Sequence, residues 1–483
     1  MSGWTWRRRA LLAVVVSAVL MVTGVVLVMV NTHPGAVPDQ GTPGDRAVGV
    51  TQASLQAQGN PTSVVVQFHE GQVAADSAEA DAPMRIGSIS KVITATMAVR
   101  LVDRGQLDLD TPVVELVPWF RTADGRQDEI TVRHLLNQTS GLPTWAGQVD
   151  LTEPETTVVD RVRQLAEVSL DSDPGTTFHY SNKNFALLHL VIEAATGMSY
   201  GDVLRTEVVE PLGLTGTTAD PATVPGEVDL DRGEIPLFGA HLPYRVPHFP
   251  GAVADGYLVS TASDLAVLFD AVASDEGRGA TFLSERTRTA MLTPPAEVAP
   301  DPYYGTTYGL GIRVSPDGSV WHEGELSNVQ ADVGIVPTSR DGLIVITQHH
   351  GHLFAGDAPF LAGMAALVGD RAEVDDGDYR SVALWMVAVA ALTLGLIAAD
   401  LTRWRRLRSR GPARRLLAST VPRLALAAAL TVGTFLGVGA MLGLPGPAPF
   451  GLVWSAAPDL TAIVLGSSLY LVVSAVTVLP RSG

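Results

Sequence analysis

Ser88 and Lys91 stand three residues apart, so one helical turn would bring a hydroxyl and an amine to the same side. A serine hydroxyl is a poor nucleophile until a base within hydrogen-bond reach takes its proton. Lysine can be that base only if its own proton comes off near neutral pH, and burial among apolar groups lowers an ammonium's pKa. Ile89 and Val92 offer Lys91 such neighbours. Of the 33 basic residues only Lys91 and Lys183 are lysines, and arginine cannot serve as a base. Ser90 falls on the opposite helical face and is the weaker candidate. Lys183 reads either as a solvated surface cation or as a contact for a substrate carboxylate, and is not counted with the catalytic residues. Cysteine is absent, which excludes thiolate catalysis, disulfides and cysteine-ligated metals.

The elements that must hold these side chains follow from apolar periodicity. Ile89, Val92, Ile93, Thr96, Met97 and Val99 share one face of a helix predicted over 88–103 and stopped by Gly105. Shorter helices are predicted over 131–138 and over 184–196, the latter closed by Gly197. Ser63–Glu70 reads as a strand ending at Gly71. Ser319–Glu323, Val329–Val336 and Gly342–Gln348 read as three more, with Asp341-Gly342 turning the last two. Strands at both ends with helices between them predict an α+β domain whose terminal segments share one sheet.

Three separated motifs then point to one family. Arg85-Ile86-Gly87-Ser88-Ile89-Ser90-Lys91, the run Pro174-Gly175-Thr176-Thr177-Phe178-His179 leading into Tyr180-Ser181-Asn182, and His322-Glu323-Gly324 occur in order. Over about residues 50–368 the chain resembles the serine β-lactamase-like hydrolases of class C type, which include penicillin-binding proteins, D-Ala-D-Ala peptidases and esterases. His134–Leu142 and Ser260–Leu265 are similar to ancillary stretches of that family. The resemblance implies a serine β-lactamase/transpeptidase-like fold, an antiparallel sheet flanked by helices plus a helical subdomain. It also implies an acyl-enzyme on Ser88, with Lys91 and Tyr180 sharing proton transfer and either of them as general base. Asn182 would position the substrate's amide or ester, His322 and Gly324 would line the site, and backbone N–H groups of Ser88 and Glu325 would hold the oxyanion. Read singly, Tyr180 is a half-buried structural tyrosine, Asn182 a helix N-cap and His322 a strand-end histidine.

Two departures bear on substrate. Glu323 stands where the family often has Thr or Ser, and Asn328-Val329 replaces a Gly-aromatic pair. Both weaken the expectation of a β-lactamase or carboxypeptidase in particular and leave serine acyl transfer intact. One of Glu323 and Glu325 is expected to face the cleft and to repel a substrate carboxylate. No cofactor is implied. No His/Asp/Glu cluster has metal spacing, and His349, His350 and His352 read as a strand end.

The chain's two ends differ from its middle. Residues 10–30 form an uncharged apolar run behind Arg7, Arg8 and Arg9, long enough to span a bilayer. Without a small-x-small cleavage site it reads as an uncleaved signal anchor rather than a signal peptide. Residues 31–50, rich in Pro and Gly, read as a tether to a hydrolase domain at 51–370. Further apolar stretches near 382–399, 424–443 and 460–479 predict three more transmembrane helices. Residues 31–380 hold 48 of the 50 acids and 21 of the 33 bases. Four spans place the remaining arginines, including the loop Arg403–Arg415, on the cytoplasmic side and the acidic domain outside. The expected location is therefore the cell membrane, with a small-molecule or peptide substrate; that acidity disfavours nucleic acid. An alternative is a penicillin-binding receptor that is acylated but hardly turns over.

Overall fold

The computed structural model describes residues 41–57, 63–73, 80–148, 156–224, 229–237, 240–347 and 356–370, with scattered positions between 425 and 472. Its longest helices among these residues are α1 (Pro43–Ala57), α2 (Ser90–Asp103), α3 (Asn182–Thr196), α4 (Ala262–Ala273) and α5 (Ala358–Leu367). The strands are β1 (Ser63–His69), β2 (Gln72–Val73), β3 (Met84–Arg85), β4 (Arg232–Leu237), β5 (Ala240–Arg245), β6 (Val259–Ser260), β7 (Thr307–Tyr308), β8 (Arg313–Val314), β9 (Val320–Leu326), β10 (Val329–Val336) and β11 (Asp341–Thr347).

Seven strands form one antiparallel sheet in the order β2-β1-β11-β10-β9-β8-β7. β1 pairs with β11 through Val65 opposite Val345, so the two ends of the domain share a sheet as expected. Alternation explains why the central strands are apolar throughout. Ala331, Val333, Ile335, Ile344 and Ile346 face a core built with the helices that follow Ser88, whereas Leu343, Val345 and Trp321 face Ala47, Val50, Phe360 and Met364 of α1 and α5. Each fully buried Val or Ile contributes about 1.5–3 kcal/mol of transfer free energy.

The predicted elements form close to their expected bounds. α3 begins two residues before the expected start, and left-handed Gly197 ends it. Thr131 and His134 form a reciprocal capping box at the helix Val132–Leu136. Residues 43–50 depart from the expected tether. Thr42 Oγ1 accepts from the Asp45 N–H at 3.1 Å while the Asp45 carboxylate accepts from the Thr42 N–H at 2.8 Å, a capping box with Pro43 in the first helical turn. The Pro and Gly that resemble linker are thus a helix start, and Ala47 and Val50 are buried against α5. The expected spans at 10–30 and 382–399 lie outside the described residues, and more than half of the positions at 424–443 and 460–479 lie outside them too. Among the described residues no helix is long and apolar enough to cross a membrane.

Candidate active site

Ser88 sits on a 3-10 turn, Gly87–Ile89, that runs directly into α2. That turn lies against β9 with no room to spare. Gly87 has φ +51°, and a Cβ placed on it would stand 2.3 Å from the Glu325 backbone nitrogen; one placed on Gly324 would stand 2.0 Å from the Ile86 carbonyl oxygen. Only two glycines permit this approach, which brings the Glu325 backbone beside the Ser88 turn. The Ser90 hydroxyl is used within the fold: it donates to the Gly87 carbonyl at 2.7 Å and accepts from the Leu258 N–H at 3.2 Å.

Lys91 is wholly buried, and its Nζ lies 2.8 Å from Ser88 Oγ and 2.6 Å from the Asp255 carbonyl oxygen. Burial lowers the ammonium to about 8, opposed by Asp255 and Glu323 and assisted by Arg161 and Arg313. Among the described residues no carboxylate oxygen forms an ion pair with it, because Asp255 turns its side chain to Arg161 in a buried two-point bridge of 2.6 and 2.9 Å. Arg161 thereby holds the residue whose carbonyl receives Lys91. Sequence gave no signal for this pair, whose partners are 94 residues apart.

Tyr180 lies over this amine, with Nζ 4.9 Å from its ring centre. Burial pushes its hydroxyl well above the ordinary tyrosine value, against the nearby Ser88 hydroxyl, which favours the ionised form. The Tyr180 hydroxyl and Asn182 Oδ1 are both buried, and apart from the Ser88 hydroxyl beside Tyr180 neither has a hydrogen-bond partner among the described residues. Asn182 is the first residue of α3, and Ser181 occupies the N-cap position. The segment is set by Gln138, itself in the left-handed region at φ 60°. Gln138 O accepts from the His179 N–H at 2.9 Å, and its Oε1 accepts from the Ser181 N–H at 3.0 Å and from Asn184 Nδ2 at 2.5 Å.

His322 and Glu323 differ from expectation. His322 is fully buried, with Nδ1 2.5 Å from the Glu323 carbonyl oxygen and Nε2 2.8 Å from the Tyr308 hydroxyl. Burial lowers it to about 4, so it is neutral, donating through Nδ1 and accepting from Tyr308. It backs Tyr180, ring centres 6.2 Å apart, and neither nitrogen is open to a substrate. The Glu323 carboxylate does not face a cleft. Arg313 grips it with Nε and Nη2, each at 2.7 Å, and gives Nη1 to Asp301 at 2.7 Å. Burial would raise the Glu323 carboxyl, but Arg313 outweighs it and holds the group down at about 2. Glu325 is the exposed member of the pair. Lys183 also departs from expectation: it is buried and donates to the Arg161 carbonyl and to Gln164 Oε1, both at 2.8 Å. Among the described residues no group of His, Asp or Glu is placed to hold a metal; His349, His350 and His352 lie outside them.

Ser88, Lys91, Tyr180, Asn182 and Gly324 thus converge from three distant parts of the chain. The family model described as Beta-lactamase matches residues 49–367. Penicillin-binding protein 4 of Amycolatopsis lactamdurans is 36% identical over 137 residues, covering 28% of this chain and 35% of that protein. Esterase EstB of Burkholderia gladioli is 31% identical over 287 residues, covering 51% of this chain and 71% of the esterase. The octameric penicillin-binding protein homologue from Pyrococcus abyssi superposes with a TM-score of 0.57 at 24% identity, over 66% of this chain and 76% of that one. Fold, motif order and family model converge on one conclusion: the chain belongs to the beta-lactamase family, whose fold carries serine hydrolases.

Proposed function

We propose that the domain hydrolyses an amide or ester through an acyl-enzyme on Ser88. The observation that carries this is the buried Lys91 amine 2.8 Å from Ser88 Oγ, with no carboxylate paired to it among the described residues. With its ammonium lowered to about 8, a useful fraction of Lys91 is neutral at physiological pH and takes the Ser88 proton as Oγ attacks the acyl carbon. Tyr180 keeps its proton, so it acts as donor to the leaving group rather than as resting base. The Ser88 and Glu325 N–H groups receive the oxyanion, and Asn182 Oδ1, buried and unpartnered, accepts from the substrate's N–H or an ordered water. Steady-state turnover of a chromogenic ester distinguishes this hydrolase from an acylated receptor. Continued release after one equivalent supports the reading, and a single stoichiometric burst with no further turnover rejects it.

The apolar runs and the arginines around them support anchoring in the membrane with the domain outside the cytoplasm. Protease added to intact cells should then remove residues 31–380. Protection of that region until the cells are lysed would contradict the orientation.

A further inference from the structure

We infer that this site, on the hydrolase reading above, selects acyl donors that carry no carboxylate near the scissile bond, and that Glu323 and Arg313 set the selection. β9 supplies Glu325 N beside the Ser88 turn, and Glu323 lies two residues earlier on the same strand. Arg313 lies close by, its guanidinium carbon 5.7 Å from the Tyr180 ring centre. That guanidinium is buried and its fork is already filled by Glu323 and Asp301 at 2.7 Å each, so it offers no free charge to a substrate carboxylate. Two further carboxyls stand behind it. Asp332 is directly opposite Glu323 across the β9–β10 ladder, and Gln330 Nε2 bridges it to Asp357 at 3.0 and 2.7 Å. The corner therefore sets Asp301, Glu323 and Asp357 against one arginine, while burial and the neighbouring Asp357 hold the Asp332 carboxyl well above the usual carboxylate range.

Nearby described cations are committed as well. Arg161 is held by Asp255, Arg85 by Asp231, and Lys183 is buried on Arg161 O and Gln164. Lys91 directs its amine to Ser88 Oγ and the Asp255 carbonyl oxygen, and in the neutral fraction that acts as base it offers no charge to a carboxylate. A substrate carboxylate entering beside Gly324 would lose water and meet net negative charge. An uncharged acyl group meets no such opposition.

The test compares 4-nitrophenyl valerate with the 4-nitrophenyl monoester of glutaric acid, equal in length and differing in a terminal carboxylate. With the full-length protein in detergent, kcat/KM should favour the neutral ester by about tenfold or more at low salt. The preference should shrink as salt rises from about 0.05 to about 0.5 M, because screening weakens repulsion. Glu323→Thr removes one carboxylate and opens two N–H groups of Arg313, so the ratio should fall toward one or invert. Asp301→Asn gives a second route should Glu323→Thr fail to fold, and should move the ratio the same way by a smaller factor. Equal hydrolysis of both esters by the wild type, or a preference unmoved by salt and by either folded variant, overturns the inference. Turnover of neither ester overturns the hydrolase reading, and this inference with it.

Discussion

Around Ser88 the groups that would meet a substrate are left incomplete, whereas each nitrogen of the Arg313 guanidinium is matched by a carboxylate oxygen. Among the described residues Lys91 has no carboxylate partner, Tyr180 OH has only the Ser88 hydroxyl beside it, and Asn182 Oδ1 has no hydrogen bond. A few ångströms away Arg313 makes three charged hydrogen bonds of 2.7 Å to two buried acids. An unmatched buried donor or acceptor costs about 1–3 kcal/mol, so a substrate or water that completes Tyr180 and Asn182 is favoured there. A matched ion pair of similar burial has no such vacancy and acts through charge and rigidity. The comparison separates residues that meet substrate from those that shape what reaches it.

Breaking the first region should have the largest effect. Lys91→Met keeps the apolar stem and removes the amine, and kcat/KM for an ester should fall by roughly 10²–10⁴. Retention of most of the activity would place the base elsewhere. Gln138→Leu should come next. It removes the acceptor of the Ser181 N–H and of Asn184 Nδ2, so Tyr180 and Asn182 lose their support. We expect kcat to fall by about tenfold, with a stability loss of about 1–3 kcal/mol, while the pH midpoint assigned to Lys91 stays in place. A shifted midpoint with unchanged kcat would show that Gln138 acts on the base electrostatically instead.

The smallest effect sharpens the second region. Burial, and after it Glu323, raises Asp357 to about 6, against hydrogen bonds from Tyr304 and Asp332, and Gln330 donates to its other oxygen. A carboxyl raised above its unfolded value of about 3.8 binds its proton more tightly in the folded state. It adds stability that is complete below that value and is lost as pH rises through about 6. Asp357→Asn should flatten the fall in Tm between about pH 4 and pH 6. An unchanged slope would mean that the proton resides elsewhere.

Much of this was legible in the residues. Val329–Val336 forms a strand with the expected bounds because alternating apolar side chains leave one register that buries both faces. Ser88 and Lys91 meet because helical geometry fixes residues three apart. Other features depend on distance across the fold. The Arg161–Asp255 bridge spans 94 positions and carries no local signature. Arg313 offered a faint one, an arginine set among Leu310, Ile312 and Val314, which implies a buried cation and hence carboxylate partners. α1 was hidden because Pro43 and Gly44 look like linker, although Thr42 and Asp45 spell its cap.

The central claim is that Ser88 is the nucleophile and the buried Lys91 its base. The most direct measurement is the rate of labelling by a fluorophosphonate as a function of pH, with the adduct located by peptide mass spectrometry. Lys91 is lowered to about 8, so below that pH each unit should slow labelling about tenfold, above it the rate should level off, and the adduct should lie on Ser88. An adduct on another serine, or a rate independent of pH from about 6 to 9, would contradict the account.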